Sequence, residues 1–409
     1  NLDAISIAAH QWVPAVRNVS GEVRGNLGGG ELRFDNRDFA LHLAKLFPRP
    51  WDYQRARGRL RWTLDDQAFT LAAPYLQVEG EEGHIAGDFL IRLMRDPAAE
   101  DYMDLRVGLS DGDARYTEKY LPTRSSALSP ALTEWLNTAI RGGTVEQGYF
   151  QYQGSLNKDA AVTARSLSLY FKVKDAELAF QPGWPVLREG RAEVLIENSG
   201  VRVRLADARM LDSRVHDATA EILRNHDAQA PMLKINGQVD GYVRDALTLM
   251  QVAPIGTNTL FAGWHGDGPL SGRLRLGIPL AKGGQPQVDA EFSTADASLY
   301  IAQADLQIGA LDGAFRYDSE RGFSAKAFQG RALGSAIKGR AFASGEPGRP
   351  STRIEATGTV GVPPLLAWRN IEQPLPASGT LPLRLSLFLS STDNHLQVDS
   401  SLLGTTLAL

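Results

Sequence analysis

Val201-Arg202-Val203-Arg204-Leu205 places two valines and a leucine on one side of an extended chain and two arginines on the other. Successive side chains of a strand point to opposite faces, so this stretch has one dry face and one wet face. Arg59-Leu60-Arg61-Trp62-Thr63-Leu64 has the same pattern, as does Arg273-Leu274-Arg275-Leu276-Gly277-Ile278. Leu381, Leu383, Leu385, Leu387 and Leu389 keep the register through a fourth stretch. Parallel strands buried on both faces read as unbroken apolar runs, so the alternation predicts antiparallel sheet.

The strands recur as hairpins. Gly58 to Trp62 leads through a polar turn to Phe69-Thr70-Leu71-Ala72-Ala73. Gly190 to Ile196 leads through Glu197-Asn198-Ser199-Gly200 to Val201–Ala206, and Gly313 to Tyr317 leads through Asp318–Gly322 to Phe323–Ala327. Asp, Asn, Ser and Gly between alternating runs are turn chemistry. In the last two copies more strand follows, near Arg214 to Leu223 and Ala332 to Phe342. This predicts one long sheet of roughly 25 strands grown by repetition.

Composition fits that reading. Of 409 residues, 40 are Gly and 21 are Pro, which favours short strands and turns over long helices. A hydrophobic share of 43% against 22% charged residues is that of a folded chain. Net charge is −4, so there is no overall basic field for nucleic acid. No Cys is present, which removes disulfides, thiol nucleophiles and Cys-ligated metals. The chain begins at Asn1 and ends in the apolar run Thr406-Leu407-Ala408-Leu409, and is expected to be a segment of a longer protein with any anchor outside it.

Helices are few. Ser129-Pro130 is an N-cap followed by Pro at the first helical position, and Leu132, Trp135, Leu136, Ala139 and Ile140 form one stripe. Gly142-Gly143 is expected to end that helix. A second helix is expected over Asp245 to Val252, stopped by Pro254 and Gly256, and a third over Pro363 to Asn370.

A search for catalytic chemistry finds one match. Gly108-Leu109-Ser110-Asp111-Gly112 is a G-x-S-x-G, which makes Ser110 an esterase candidate if a strand precedes it and a helix follows. The residues after it, Asp113-Ala114-Arg115-Tyr116, read as strand, so the pentapeptide reads as a hairpin turn. None of the seven His residues, which include His226, pairs with another at i+4, and no H-E-x-x-H occurs. Gly28-Gly29-Gly30 reads as a hairpin end, and the seven Trp residues, Trp12 among them, form no stacking row. No enzyme, metal site or cofactor is expected.

The dry faces then need cover. A second sheet could supply it, making a β-sandwich scaffold. Lipid could supply it around a closed outer-membrane barrel. A curled sheet could instead hold acyl chains on its inner face. Periodicity alone does not choose, although a Pro-capped helix in mid-chain breaks the strand rhythm of a membrane barrel.

Further residues carry a resemblance. Lys119-Tyr120-Leu121-Pro122, then Trp135-Leu136, then Gly142-Gly143-x-Val145-x-x-Gly148 resembles the AsmA-like envelope proteins of the YhdP type. Ala176-Glu177-Leu178-x-Phe180-x-Pro182-Gly183-Trp184-Pro185 and Gly268-Pro269-Leu270-x-Gly272-x-Leu274-x-Leu276 resemble later stretches of the same family. The match covers about residues 100 to 345. It departs after Gly154, where Asn157-Lys158-Asp159-Ala160 stands in place of a Phe-Pro-Phe-like stretch.

The resemblance implies a mainly β fold: one elongated, twisted antiparallel sheet of repeated hairpins curled into a groove, with a few short helices. It also implies a periplasmic segment of an inner-membrane-anchored, bridge-like lipid transfer protein that moves phospholipid towards the outer membrane. The implied partners are phospholipids and the inner and outer membranes or proteins there. The expected organisation is a groove segment over 1–112, a strand with a helical insert over 113–146 and a groove repeat over 147–244. A short helical interruption over 245–265 and a groove repeat over 266–409 complete it. The candidate lining residues are the alternating sets Leu60, Trp62 and Leu64; Val194 and Ile196; Val201, Val203 and Leu205; Leu274, Leu276 and Ile278; Phe315 and Tyr317; and Leu383, Leu385 and Leu387.

Overall fold

The computed structural model describes residues 1–10, 13–125, 128–198, 200–223, 232–254, 257–280, 286–346, 349–371, 376–390 and 394–407. Trp12, Ser199, His226, Gly256, Ala408 and Leu409 lie outside the described residues.

Alternation becomes strand throughout. In a first unit, residues 1–181 and 186–206, the strands are β1 (Leu2–Ile7), β2 (Ala15–Asn26), β3 (Gly29–His42), β4 (Trp51–Leu64), β5 (Ala68–Gly80) and β6 (Gly83–Met94). They continue as β7 (Tyr102–Asp113), β8 (Ile140–Ser155), β9 (Arg165–Leu178), β10 (Leu187–Glu197) and β11 (Gly200–Met210), the last running just past the unit's end. In the second unit, residues 182–185 and 207–409, they are β12 (Ser213–Leu223), β13 (Met232–Tyr242), β14 (His265–Asp267), β15 (Pro269–Pro279), β16 (Gln287–Ile301) and β17 (Leu306–Asp318). The unit ends with β18 (Gly322–Ala332), β19 (Ser335–Ala343), β20 (Ser351–Gly361), β21 (Ala377–Ser390), β22 (Asn394–Ser400) and β23 (Thr405–Leu407).

These 23 strands among the described residues make one open antiparallel sheet. Most pair with their chain neighbours, as β3 does with β4 and β17 with β18. The sheet does not close into a barrel: β1 pairs only with β2 and β22 only with β21 among the described residues.

Among the described residues three α-helices interrupt the meander: α1 (Pro130–Ala139), α2 (Val243–Val252) and α3 (Val362–Trp368). Ser129 caps α1 as its sequence demands, its hydroxyl accepting from the Leu132 amide at 3.2 Å. The helix ends before Gly142-Gly143, which lie inside β8. Ile140 is already extended, and Gly143 takes a φ of +133° where a Cβ would meet the Ala176 Cα at 2.9 Å. Of two glycines that look like a helix stop, Gly143 therefore serves a close strand approach, and the pair lies at a shift of register.

The G-x-S-x-G stretch is also placed differently from expectation. It lies inside β7, which runs on to Asp113, with Asp111 taking a φ of +50°. The expected strand after it is a 3₁₀ turn over Ala114–Tyr120, because the Asp113 carboxylate accepts from the Arg115 amide and caps it. No strand–helix elbow forms around Ser110.

In the first unit a buried apolar cluster joins Val19, Phe39, Tyr53 and Ala56 of β2–β4, with Trp51, Val78 and Ile85 packed against it. In the second, buried side chains run from Leu276 and Val288 through Phe315, Phe328 and Ile337 to Leu381–Leu389.

Candidate functional site

Register turns the alternation of separate strands into rows that cross them. In the first unit Trp62, Leu71, Ile91 and Met103 are consecutive partners across β4 to β7. Ala73, Phe89, Leu105, Tyr152 and Leu167 form a second row across β5 to β9. Val107, Phe150, Leu169 and Ile196 form a third, and Ile85, Leu109, Gly148, Phe171 and Val194 a fourth. Ala73 and Gly148 are buried, and every larger side chain in these rows is half-buried. The apolar face is packed laterally, strand to strand, while its outward side keeps access to solvent.

One end of this face is covered. The 3₁₀ turn carries Lys119 and Tyr120 back over β4 to a buried carboxylate, Glu82, only 4% exposed. The Lys119 ammonium lies 2.6 Å from Glu82 and donates to the Asp52 carbonyl at 3.2 Å. The Tyr120 hydroxyl donates to the same carboxylate, and the Tyr53 hydroxyl lies 3.2 Å from that of Tyr120. The Trp51 indole donates to the Lys119 carbonyl at 2.9 Å, and its ring stands 5.1 Å from that of Tyr120. Arg124 continues the strap, donating to the Ala44 carbonyl at 2.8 Å. Burial pushes both phenols, Tyr53 and Tyr120, above the ordinary tyrosine range.

The second unit treats its dry face differently. Phe315 is ringed by Phe292 at 5.6 Å, Phe323 at 5.5 Å and Phe328 at 6.1 Å. Phe328 lies opposite Gly313 and Gly339, and a Cβ on Gly313 would meet the Phe328 Cβ at 2.9 Å. The chain after α2 returns against the sheet, stacking Phe261 edge-on to Tyr317 at 6.2 Å and to Trp264 at 5.2 Å. Tyr317 is left 2% exposed, and burial pushes its phenol up to about 12.

The sequence-derived lining residues divide accordingly. Leu60, Trp62, Val194, Ile196, Val201, Val203 and Leu205 are half-buried in the first unit, and Leu64 is 40% exposed. In the second, Leu274 and Ile278 are half-buried, whereas Leu276, Phe315, Tyr317, Leu383, Leu385 and Leu387 are buried. Register joins Trp62 to the first row and Val194 and Ile196 to the fourth and third. The central rungs, Phe89, Leu105, Val107 and Phe150, lie outside the sequence-derived set. Met103-Asp104-Leu105-Arg106-Val107-Gly108-Leu109 alternates cleanly and held that signal.

The wet face of the first unit is closed by ion pairs. Asp88 holds Arg106 at 2.7 Å, and Asp35 holds Arg55 at 2.7 Å. Glu31 takes Arg33 at 2.5 Å, Arg61 at 3.0 Å and also Arg59. Arg59, first among these guanidiniums, holds the Glu31 carboxyl down at about 2. No group of three or more His, Asp or Glu side chains is placed to hold a metal among the described residues. No helix among them is long and apolar enough to cross a membrane.

The arrangement offers an apolar surface several strands wide, bordered by charged groups in water. Comparison with known proteins gives the same direction. The family described as YhdP protein matches residues 1–409. The chain is also 22% identical, over 316 residues, to the intermembrane phospholipid transporter YhdP of Escherichia coli (strain K12). That match covers 76% of this chain and 24% of the relative, so the chain spans about a quarter of that protein's length. No solved structure matches.

Proposed function

The chain belongs to the YhdP family, and from that premise we propose that it is a lipid-carrying segment of an envelope transporter. Phospholipid acyl chains lie on the apolar rows of the first unit, and headgroups stay in water at the border. The carrying observation is that the rows run across strands without interruption while their large side chains stay half-exposed. Rungs recur about every 4.8 Å, the strand spacing. Each acyl methylene removed from water contributes about 0.8 kcal/mol. Similar apolar lining at successive rungs gives a lipid similar free energy at each, so it can slide without a deep trap.

The segment works without catalysis in this reading, in the periplasm of a Gram-negative cell. It belongs to a protein anchored in the inner membrane and delivers phospholipid towards the outer membrane. Photocrosslinkers at Val203 and Leu105 should capture phospholipid from cells, and those at Arg202 and Arg106 should not. Gently purified chain should carry phospholipid detectable by mass spectrometry. Absence of lipid in both measurements would remove the proposal.

A second reading applies to the second unit alone. Its dry face is filled by its own side chains, as Leu381, Leu383, Leu385 and Leu387 are all buried, which favours a structural scaffold there. Capture of lipid at Leu385 would decide for transport in that unit as well.

A further inference from the structure

The outward face of β18–β22 has a charge that the rest of the sheet does not. Its strands carry Lys326, Arg331, Lys338, Arg340, Arg353 and Arg384 against only Glu355 and Asp399, a net +4 in a chain of net −4. The strands β2–β7 carry ten cations and ten carboxylates, many of them paired. The basic side chains share one face by register: Lys338 lies opposite Thr357, and Thr357 opposite Arg384. The buried Ile337, Ala356 and Leu385 point the other way.

Glu355 is already occupied by Arg340 at 2.9 Å and Arg353 at 2.7 Å. Lys326, Arg331, Lys338 and Arg384 enter no ion pair among the described residues. Arg331 and Lys338 flank a depression of about 600 Å³ that Gln329, Thr357 and Thr359 also line, with no carboxylate among its walls. Farther along the same face, two phenyl rings occupy positions where the pattern calls for polar residues. Phe342 is 41% exposed under the Arg340 guanidinium, and the Arg353 guanidinium lies 5.1 Å from the half-buried Phe388 ring.

We infer that the outward face of β18–β22 docks on an anionic phospholipid surface, the Arg331–Lys338 depression seating a headgroup phosphate and Phe342 entering the headgroup layer. Surplus cations with an exposed aromatic ring on the same face match that partner, since cations collect at anionic lipid and aromatic rings settle at the interface. A purely acidic polypeptide would use the cations and leave Phe342 without a purpose. This docking face is the side of β18–β22 opposite the buried Ile337, Ala356 and Leu385, and the inference goes beyond the carrier reading.

The test is flotation of the full chain with vesicles of phosphatidylcholine alone or with a third phosphatidylglycerol. Binding should favour the anionic vesicles, weaken with salt, and fall about tenfold or more in R331E/K338E, with Lys338→Gln intermediate. Phe342→Ala should lower binding at unchanged salt dependence. Melting curves check that each variant is folded. Lipid capture at Val203 should persist in R331E/K338E, so loss of docking is told apart from loss of the carrier face. Equal binding to both vesicle types overturns the inference, as does unchanged binding of R331E/K338E. Displacement by inorganic phosphate at constant ionic strength would make the depression a small-anion site and overturn it. Displacement by polyglutamate at a matched charge concentration, with Phe342→Ala binding like wild type, would assign the face to an acidic protein instead.

Discussion

The two units begin from one sequence pattern and finish with different dry faces. Leu105 of the first unit and Leu385 of the second each sit in a strict apolar–polar alternation, between an Asp and an Arg in one case and an Arg and a Ser in the other. Leu105 is half-buried between its cross-strand partners Phe89 and Tyr152. Leu385 is buried, and so are its neighbours along β21 from Leu381 to Leu389. Alternation selects which side of a strand is dry; what lies on that side depends on segments elsewhere in the chain.

The contrast can be broken most directly by truncation. Leu385→Ala should cost about 3 kcal/mol of unfolding free energy, and Leu105→Ala about 1 kcal/mol, because a half-exposed side chain leaves little cavity. Chemical denaturation of the two variants measures this, and equal losses would erase the distinction. Removing the strap's buried anion comes next: Glu82→Ala should cost about 2 kcal/mol, since it strips the partner from a Lys119 that is mostly out of water. That loss should appear in the first unit's unfolding and leave hydrogen exchange of β18–β21 unchanged. Phe261→Leu keeps most of the apolar volume, so it should cost about 1 kcal/mol while opening Tyr317 to lipid photolabelling.

The smallest effects are those of pH. Tyr53, Tyr120 and Tyr317 all have folded values raised by burial. Their contribution is intact below the ordinary tyrosine value near 10 and is lost as pH rises through the folded values. Alkaline melts should therefore destabilise both units, and Tyr120→Phe should flatten the limb in the first. Glu31 acts in the opposite direction. Its contribution is present above its unfolded value of 4.5 and is lost as pH falls through about 2, so Glu31→Gln should flatten the acid limb slightly.

Much of the fold was legible because a period of two is a local property. The hairpins starting at Gly58, Gly190 and Gly313 appear as β4–β5, β10–β11 and β17–β18, and the Ser129-Pro130 cap starts α1. The rest depended on contacts that no local window contains. The strap gathers Tyr53, Glu82, Lys119 and Tyr120 from three segments, and polar residues so far apart give no periodic signal. Burial of Tyr317 depends on Phe261, which arrives from the chain between α2 and β14. The rows of the first unit needed register, which turns and bulges set, such as the slip between Ala73 and Leu76.

Pairing of most strands with their chain neighbours has a consequence for how such a protein is made and how it changes. Each hairpin can close as soon as its own residues are available, without waiting for a distant partner, so the sheet can be built from the first strand onward. Insertion or loss of a whole hairpin leaves the register of every other pair intact. The number of strands is therefore free to drift in steps of two, and with it the distance such a sheet can be made to reach.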